Sequence, residues 1–140
     1  FATLAGSAAV SPIITPEAVV LSVILFLWTP PHFWSLAMAI GDDYKKAGVP
    51  MLQNILSNSL TSYIILFHTI ILVFVTTILM LYNSSILYIM AIFIGGGYFI
   101  WTSILLAIKK TKSAAMKNFF GSFVQLGLLL VLIIIDGIVI

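Results

Sequence analysis

The chain has 140 residues, of which 62% are hydrophobic and only 7% are charged, and its mean hydropathy is +1.25. Soluble domains carry roughly 25% charged residues, so this chain cannot present a water-compatible surface and its solvent is largely lipid. The net charge of +2 comes from six basic residues, all lysines, against four acids. So small a surplus excludes any argument for nucleic acid as a partner. The absence of cysteine excludes disulfides, thiolate metal sites and a cysteine nucleophile.

The first residues, FATLAGSAAVSP, contain no initiator methionine and no positively charged segment. They are typical neither of a signal peptide nor of a natural start. We therefore expect an N-terminal half of the protein to be missing from this sequence.

Four segments are apolar over the roughly 20 residues that a helix needs to cross a bilayer. Thr15, Pro16 and Glu17 are typical of a helix start, because they supply a cap, a first-turn proline and a charge that suits the positive helix end. The sequence predicts an all-α, polytopic membrane helical bundle in a single domain covering residues 1–140. Its four transmembrane helices are expected at about residues 18–40, 63–82, 86–108 and 118–140.

The lysines predict the orientation of this bundle. If successive helices alternate in direction, the segments 41–62 and 109–117 lie on the same side of the membrane, together with every lysine. Cytoplasmic loops collect lysine and arginine. We therefore expect both segments to be cytoplasmic loops of a multi-pass plasma membrane protein.

Asp42 and Asp43 stand side by side at the C-terminal end of the first predicted span. The helix dipole disfavours negative charge there by about 0.3–1 kcal/mol per group, and the two carboxylates repel each other. A cation would offset this cost, and Mg²⁺ is commonly held by carboxylates together with the oxygens of a substrate phosphate. From the residues alone, a solvated polar loop flanked by its own lysines explains the pair equally well.

The same span contains two prolines and a histidine. Pro30 and Pro31 each remove a backbone hydrogen bond, and such a break persists in a membrane where it lines a cavity. On an ideal helix, His32 lies within about 20° of the face of Asp43 and about 16 Å deeper in the bilayer, with Trp28 one turn deeper still. A deeply buried imidazole is a functional candidate by default, although the small residues beside it also suit close helix packing.

Weaker signals lie in the other three spans. His68 has no acidic neighbour in sequence and is expected to bond to a backbone carbonyl or a hydroxyl. Asp136 is expected to reach the headgroups from the end of the last span. The glycines at 95–97 are expected to allow close packing or a bend, and Gln125 could line a pocket.

Two stretches, LWTPPHFWSLAM and DDYKKAGVPML, resemble the protoheme IX farnesyltransferases (heme O synthases), a branch of the UbiA-type intramembrane prenyltransferases. Residues 28–34 match the pattern W-T-P-P-H-F-W of that branch without a gap, and residues 42–44 and 47–51 match D-D-Y and A-G-[IV]-P-M. The segment AGSAAVS and the last span resemble the family more weakly. The family's first Asp-rich motif, N-x-x-x-D-x-x-x-D, does not occur in this sequence, which suits the C-terminal half of such a protein.

The resemblance implies half of a UbiA-type fold, in which two helical halves surround a cavity and each supplies an Asp-rich motif at the cytoplasmic mouth. It implies transfer of a farnesyl group from farnesyl diphosphate to the vinyl group of protoheme IX (heme B), which gives heme O, with Mg²⁺ bridging the motifs to the diphosphate. Asp42 and Asp43 take the place of the second motif, as catalytic and metal-binding residues. His32 matches a family histidine that contacts or positions heme. The substrate-binding residues implied are His32, Trp28, Trp34, Tyr44, Lys45 and Lys46.

Two other interpretations stay open at this point. A UbiA-type prenyltransferase with a quinone-precursor acceptor would keep the scaffold, but the W-T-P-P-H-F-W stretch belongs to the heme branch. A non-catalytic four-helix membrane subunit would leave Asp42 and Asp43 in a solvated loop.

Overall fold

A computed structural model describes residues 2–10, 13–46, 58–82 and 85–139, with the backbone alone at 2–3, 41–46, 58 and 139. The described helices are α1 (Ala2–Val10), α2 (Pro16–Lys46), α3 (Asn58–Thr77), α4 (Ile86–Met90), α5 (Gly96–Lys109) and α6 (Lys112–Val139). A 3₁₀ turn at Ile78–Leu81 follows α3, and a π-helical turn at Ala91–Gly95 joins α4 to α5.

Within the described residues, four helical stretches are long and apolar enough to cross a membrane. These are Pro16–Ile40, Ser59–Leu81, Ile86–Lys109 and Lys112–Ile138. Large apolar side chains such as Phe26, Phe67 and Phe74 point outward from them, as expected of helices that face lipid. The predicted all-α membrane bundle is thus confirmed.

Helix α2 starts as its sequence predicts and has a kink beyond its two prolines. The Thr15 hydroxyl oxygen accepts a hydrogen bond from the backbone N–H of Ala18 at 3.3 Å, which caps the helix. Pro30 and Pro31 lie inside the helix, whereas the residue with non-helical backbone angles is Ile40, at φ −125° and ψ 19°. The backbone angles at both prolines stay helical, although neither proline can donate a backbone hydrogen bond. The kink at Ile40 also means that an ideal helical register cannot be extended from His32 to residues beyond position 40.

The connection between α5 and α6 is much shorter than the predicted loop at 109–117. Helix α5 ends at Lys109 and α6 begins at Lys112, with Lys110 in the left-handed conformation at φ 53°. The Thr111 hydroxyl caps α6 by accepting the N–H of Ala114 at 3.1 Å. The loop prediction for 109–117 is therefore wrong, because its last six residues form the first turns of α6. The other predicted loop, 41–62, is helical at both ends, because α2 continues to Lys46 and α3 begins at Asn58. Residues 47–57 lie outside the described part.

The glycines at 95–97 have different neighbours. A Cβ added at Gly95 would lie 3.1 Å from the backbone of Gln125 on α6, and one at Gly96 would lie 2.9 Å from the Val73 side chain on α3. A Cβ at Gly97 would meet nothing within 4 Å. Close packing is confirmed for the first two positions, which let α6 and α3 approach the third span.

The four long helices pack in a ring in the order α2, α3, α5, α6. One core cluster consists of Ile24, Leu72, Leu79, Ala91, Ile92, Phe99 and Leu129, and we call this end of the bundle the apolar end. The other consists of Met38, Ala39, Ile65, Leu106, Ala114 and Ala115. This second cluster joins the C-terminal parts of α2 and α5 to the N-terminal parts of α3 and α6, so the helices alternate in direction as predicted. The lysines gather at this end, which we call the lysine end.

Candidate functional site

His32 is enclosed between α2 and α6, with only 5% of its surface exposed. Its ring is stacked between those of Trp28 and Phe119, at centroid distances of 4.1 and 4.5 Å. The ring of Phe123 approaches edge-on at 4.6 Å. Both faces of the imidazole are therefore covered, so a ligand can contact this ring only at its edge.

Hydrogen bonds to α6 set the orientation of this histidine. Nδ1 of His32 lies 2.5 Å from the hydroxyl oxygen of Ser122, and that hydroxyl donates to the Phe119 carbonyl at 2.5 Å. Because a serine has a single hydroxyl hydrogen, the Ser122 oxygen accepts from His32 and Nδ1 carries the proton. The lone pair of the neutral ring then lies on Nε2. Trp28 is tied to the same turn, since its Nε1 donates to the Ser122 carbonyl at 2.9 Å.

A polar seam made of Ser35, Thr69, Thr102, Ser103 and Asn118 crosses the bundle next to this histidine. The Asn118 side-chain amide donates to the Ser35 hydroxyl, and its oxygen accepts from Thr102 at 3.0 Å and Ser103 at 2.8 Å. Ser103 continues the seam to Thr69 at 3.1 Å. All five side chains are buried. The seam thus joins all four long helices through hydrogen bonds inside the predicted hydrocarbon region.

Trp34 and His68 meet on the other side of α2. Their ring centroids are 5.1 Å apart with an interplanar angle of 81°. Nδ1 of His68 is buried and has no hydrogen-bond partner within the described ranges. The expected hydrogen bond of His68 to a carbonyl or a hydroxyl is therefore not made by Nδ1, and for Nε2 it stays a prediction.

Two other expectations from the sequence are corrected by burial. Asp136 is 5% exposed, so its side chain is enclosed by the bundle and does not reach out to the headgroups. Gln125 is 1% exposed, and its side-chain oxygen has no partner among the residues that the structure describes. It lies behind the close contact with Gly95 rather than along an open pocket.

The UbiA prenyltransferase family matches residues 1–126 of the chain. The chain belongs to this family. It is 46% identical over 136 residues to "Protoheme IX farnesyltransferase 2" of Paramagnetospirillum magneticum, a match that covers 97% of the chain and 47% of the relative. It is 37% identical over 132 residues to "Protoheme IX farnesyltransferase" of Polynucleobacter asymbioticus, covering 94% of the chain and 44% of that relative. The chain spans less than half the length of both relatives, and no solved structure matches it.

In this UbiA-family chain, the residues singled out in the sequence fall into two groups. The structure brings Trp28 and His32 together at the α2–α6 interface, whereas Trp34 lies against α3. Beyond the kink at Ile40 the backbone of α2 stays helical to Lys46. The side chains of the remaining site residues lie outside the described part of the chain, and their roles stay predictions: Asp42, Asp43, Tyr44, Lys45 and Lys46.

The partners of His32 and Ser35 were missed in the sequence. His32 and Ser35 are one turn apart on α2, and Ser122 and Asn118 are one turn apart on α6. Asn118 could have been identified from the sequence as a candidate for a bond between helices, because polar residues in membrane helices bond across helices. The pairing itself was invisible, since the partners are 83 to 90 positions apart.

Proposed function

We propose that the protein transfers a farnesyl group from farnesyl diphosphate to the vinyl group of protoheme IX (heme B), giving heme O, and that this chain supplies the second of two helical halves. The observation that carries the proposal is the 46% identity to a relative named protoheme IX farnesyltransferase over 97% of the chain. Since the chain covers 47% of that relative, an N-terminal half with the first Asp-rich motif is the required partner. Prenyltransferase activity is thus a proposal for the whole protein.

The reaction makes one carbon–carbon bond. The C1–O bond of farnesyl diphosphate breaks and diphosphate departs with the electron pair. The vinyl group of heme B bonds to the farnesyl carbon through its terminal carbon. Water then adds to the neighbouring carbon and releases a proton, which leaves the hydroxyethylfarnesyl group of heme O.

Asp42 and Asp43 are the residues to which we assign the diphosphate end. They lie on the last turns of α2 beyond the kink at Ile40, at the lysine end, and their carboxylates are the hard oxygen donors that Mg²⁺ prefers. Bound there, Mg²⁺ would offset charge on the leaving group. Lys45 and Lys46, one turn further, are assigned to electrostatic contact with the same diphosphate.

His32 is assigned to heme positioning. Its Nδ1–H is held by Ser122, so Nε2 is the ring atom left to meet heme from the edge. Trp28 is fixed against the histidine by stacking and by its bond to the Ser122 carbonyl. Trp28 and Trp34 are aromatic groups that can stabilise positive charge developing on the farnesyl carbon through cation–π contact.

We further propose that the lysine end faces the cytoplasm of a plasma membrane. The supporting observation is that Lys109, Lys110 and Lys112 lie at the same end as the close of α2, as the positive-inside rule requires. The chain contains no cysteine, so single cysteines report the topology without background. A Lys112→Cys variant is expected to react with an impermeant maleimide from the cytoplasm, and Ser84→Cys from outside. Labelling of both from the same side would contradict this topology.

The decisive test of the reaction is mass spectrometry of heme. The protein in its full natural sequence is expressed in a host without its own heme O synthase, and heme extracted from the membranes is separated and weighed. A heme with the added mass of farnesyl plus water is expected, and an Asp42→Asn/Asp43→Asn variant should yield unmodified heme B. Unmodified heme together with a prenylated quinone precursor would contradict the proposed acceptor.

A further inference from the structure

A cavity of about 250 Å³ lies where α5 turns into α6, at the lysine end. Two ammonium groups, two hydroxyl groups and two apolar side chains form its lining, contributed by Lys109, Lys117, Thr111, Ser113, Leu105 and Ala114. None of these residues belongs to the set assigned above to heme or diphosphate. The cavity therefore calls for its own explanation.

The ammonium groups of this cavity are not neutralised by the described acids. Lys110, in the same turn, is engaged elsewhere, because its Nζ donates to the Ala107 carbonyl and lies 4.9 Å from the centroid of the Tyr63 ring. Lys109 and Lys117 have exposed side chains. The carboxylates whose side chains the structure describes, Glu17 and Asp136, lie near the apolar end. Among the side chains that the structure describes, the cavity lining therefore carries two positive charges and no negative one.

The backbone adds to this positive potential. The cavity borders the N-terminus of α6, a helix of 28 residues, and the unpaired N–H groups of a first turn favour anions. Thr111 accepts the Ala114 N–H, so its own hydroxyl hydrogen is still available as a donor. Two lysines, a hydroxyl donor and a helix N-terminus together suit an oxyanion such as phosphate.

The surroundings of the cavity favour a phosphate that belongs to a lipid. Trp101, Leu105 and Lys109 follow one another at spacings of four residues, so they lie on one face of α5. Trp101 is 55% exposed, and Leu105 belongs to the cavity wall. An apolar strip thus leads from the charged cavity along the helix toward the bilayer centre. A soluble anion would fill the cavity and leave this strip unused.

We propose that this cavity binds the headgroup phosphate of an anionic phospholipid from the surrounding leaflet. Lys109 and Lys117 contact the phosphate, and the acyl chains lie along Leu105 and Trp101. Basic pockets between membrane helices are suited to anionic headgroups, and a lysine near such a surface contributes about 1 kcal/mol. The site is independent of the transfer chemistry, because it uses neither the Asp42–Lys46 segment nor His32.

Lipid binding is tested by native mass spectrometry of the protein in its full natural sequence, released from detergent with added phosphatidylglycerol or phosphatidylcholine. One phosphatidylglycerol is expected to be retained more tightly than phosphatidylcholine. Lys117→Gln should weaken phosphatidylglycerol binding about fivefold, and Lys117→Arg should keep it. Lys112→Gln is the matched control, since it removes the same charge from the same region outside the cavity lining and should change binding less than twofold.

Three outcomes would overturn the proposal. Equal weakening by Lys112→Gln and Lys117→Gln would mean that binding follows net charge rather than the cavity. Displacement of phosphatidylglycerol by inorganic diphosphate at equal concentration would assign the cavity to a soluble anion. Unchanged lipid binding in Trp101→Ala would contradict the proposed contact between Trp101 and the acyl chains. Weaker binding of both lipids in this variant would support that contact. Because Lys117 and Trp101 are exposed, these variants should retain the unfolding temperature of the parent protein.

Discussion

Helices α2 and α6 meet in different ways along their length. Toward the lysine end they are joined by hydrogen bonds, from His32 to Ser122 and from Asn118 to Ser35. At the apolar end the same two helices meet through the cluster that contains Leu129. At the apolar end α6 also contacts the third span, where Gly95 lets the backbones of the two helices approach closely.

This difference indicates where the proposed chemistry of the chain lies. Lipid tails are as apolar as leucine, so apolar packing between membrane helices gains from shape rather than from removal of water. Buried polar groups are costly in the same setting and mark functional regions. In this chain the polar seam, the enclosed histidine and the Asp-bearing last turns of α2 all lie in the lysine half of the bundle. The apolar end also buries Asp136, but its core cluster consists of apolar side chains alone.

The largest effect is expected from the aspartates at the lysine end. Replacing Asp42→Asn together with Asp43→Asn removes both negative charges and one oxygen of each carboxylate assigned to Mg²⁺, so farnesyl transfer should fall about 100-fold or more. The thermal unfolding midpoint should not change. Initial rates across a Mg²⁺ titration provide the measurement.

Glu17→Gln is the control for that variant, since it removes an exposed carboxylate near the apolar end and should leave the rate unchanged. Wild-type turnover in the double variant would remove the metal role from the pair. The proposed contrast between the lysine end, where the reaction is assigned, and the apolar end would then lose its strongest support.

The two histidines give the next largest contrast. His32→Ala should weaken heme binding about tenfold, because it removes the edge contact that Ser122 orients. His68→Ala, which removes an imidazole packed edge-on against Trp34, should change heme affinity less than twofold. Absorbance titration of heme measures both. Equal effects of the two variants would show that general loss of packing, not a specific contact, controls heme affinity.

Substitutions at two glycines of the third span test the close packing of helices at the apolar end. Gly95→Ala places a methyl group 3.1 Å from the Gln125 backbone, which cannot move aside as a side chain could. This overpacking should destabilise the bundle by about 1–3 kcal/mol. Gly97→Ala meets nothing within 4 Å and should not destabilise it. Reversible unfolding in mixed micelles compares the two, and equal stability would contradict the close approach of α6.

The polar seam should give the smallest effect. Asn118→Leu removes hydrogen bonds that join α6 to α2 and α5, and bonds of this kind contribute about 0.6–1.7 kcal/mol in membrane proteins. A double-mutant cycle with Ser35→Ala in the same micelle assay isolates the link between the two helices. A coupling energy of zero would mean that the bond between Asn118 and Ser35 does not contribute to holding α2 and α6 together.

Some features could be predicted from the sequence because they depend on neighbouring residues. The four spans follow from runs of apolar residues, and the start of α2 follows from Thr15 and Pro16. The 109–117 loop was wrongly predicted because charge was taken as a sign of a break. Lysine is a good helix former, and the break needs only the left-handed residue Lys110 and the cap Thr111.

The candidate site was only partly predictable, because its side chains come from helices that are far apart in the sequence. His32 stands out as an imidazole in an apolar span, and the W-T-P-P-H-F-W motif marks its family. Its partners Ser122 and Phe119 are ordinary residues of a distant helix. Nothing in the sequence pairs them with position 32.

Composition and the order of apolar runs by themselves determined that this protein is a helical membrane protein with its lysines on one side. The WTPPHFW and DDY motifs by themselves pointed to a prenyltransferase of the UbiA type. Only the tertiary structure decided that Ile40 is the non-helical residue of α2 and that the polar seam around Asn118 joins four helices. The seam depends on side chains brought together from distant positions, because a buried polar group in a bilayer can be satisfied by a partner on a neighbouring helix.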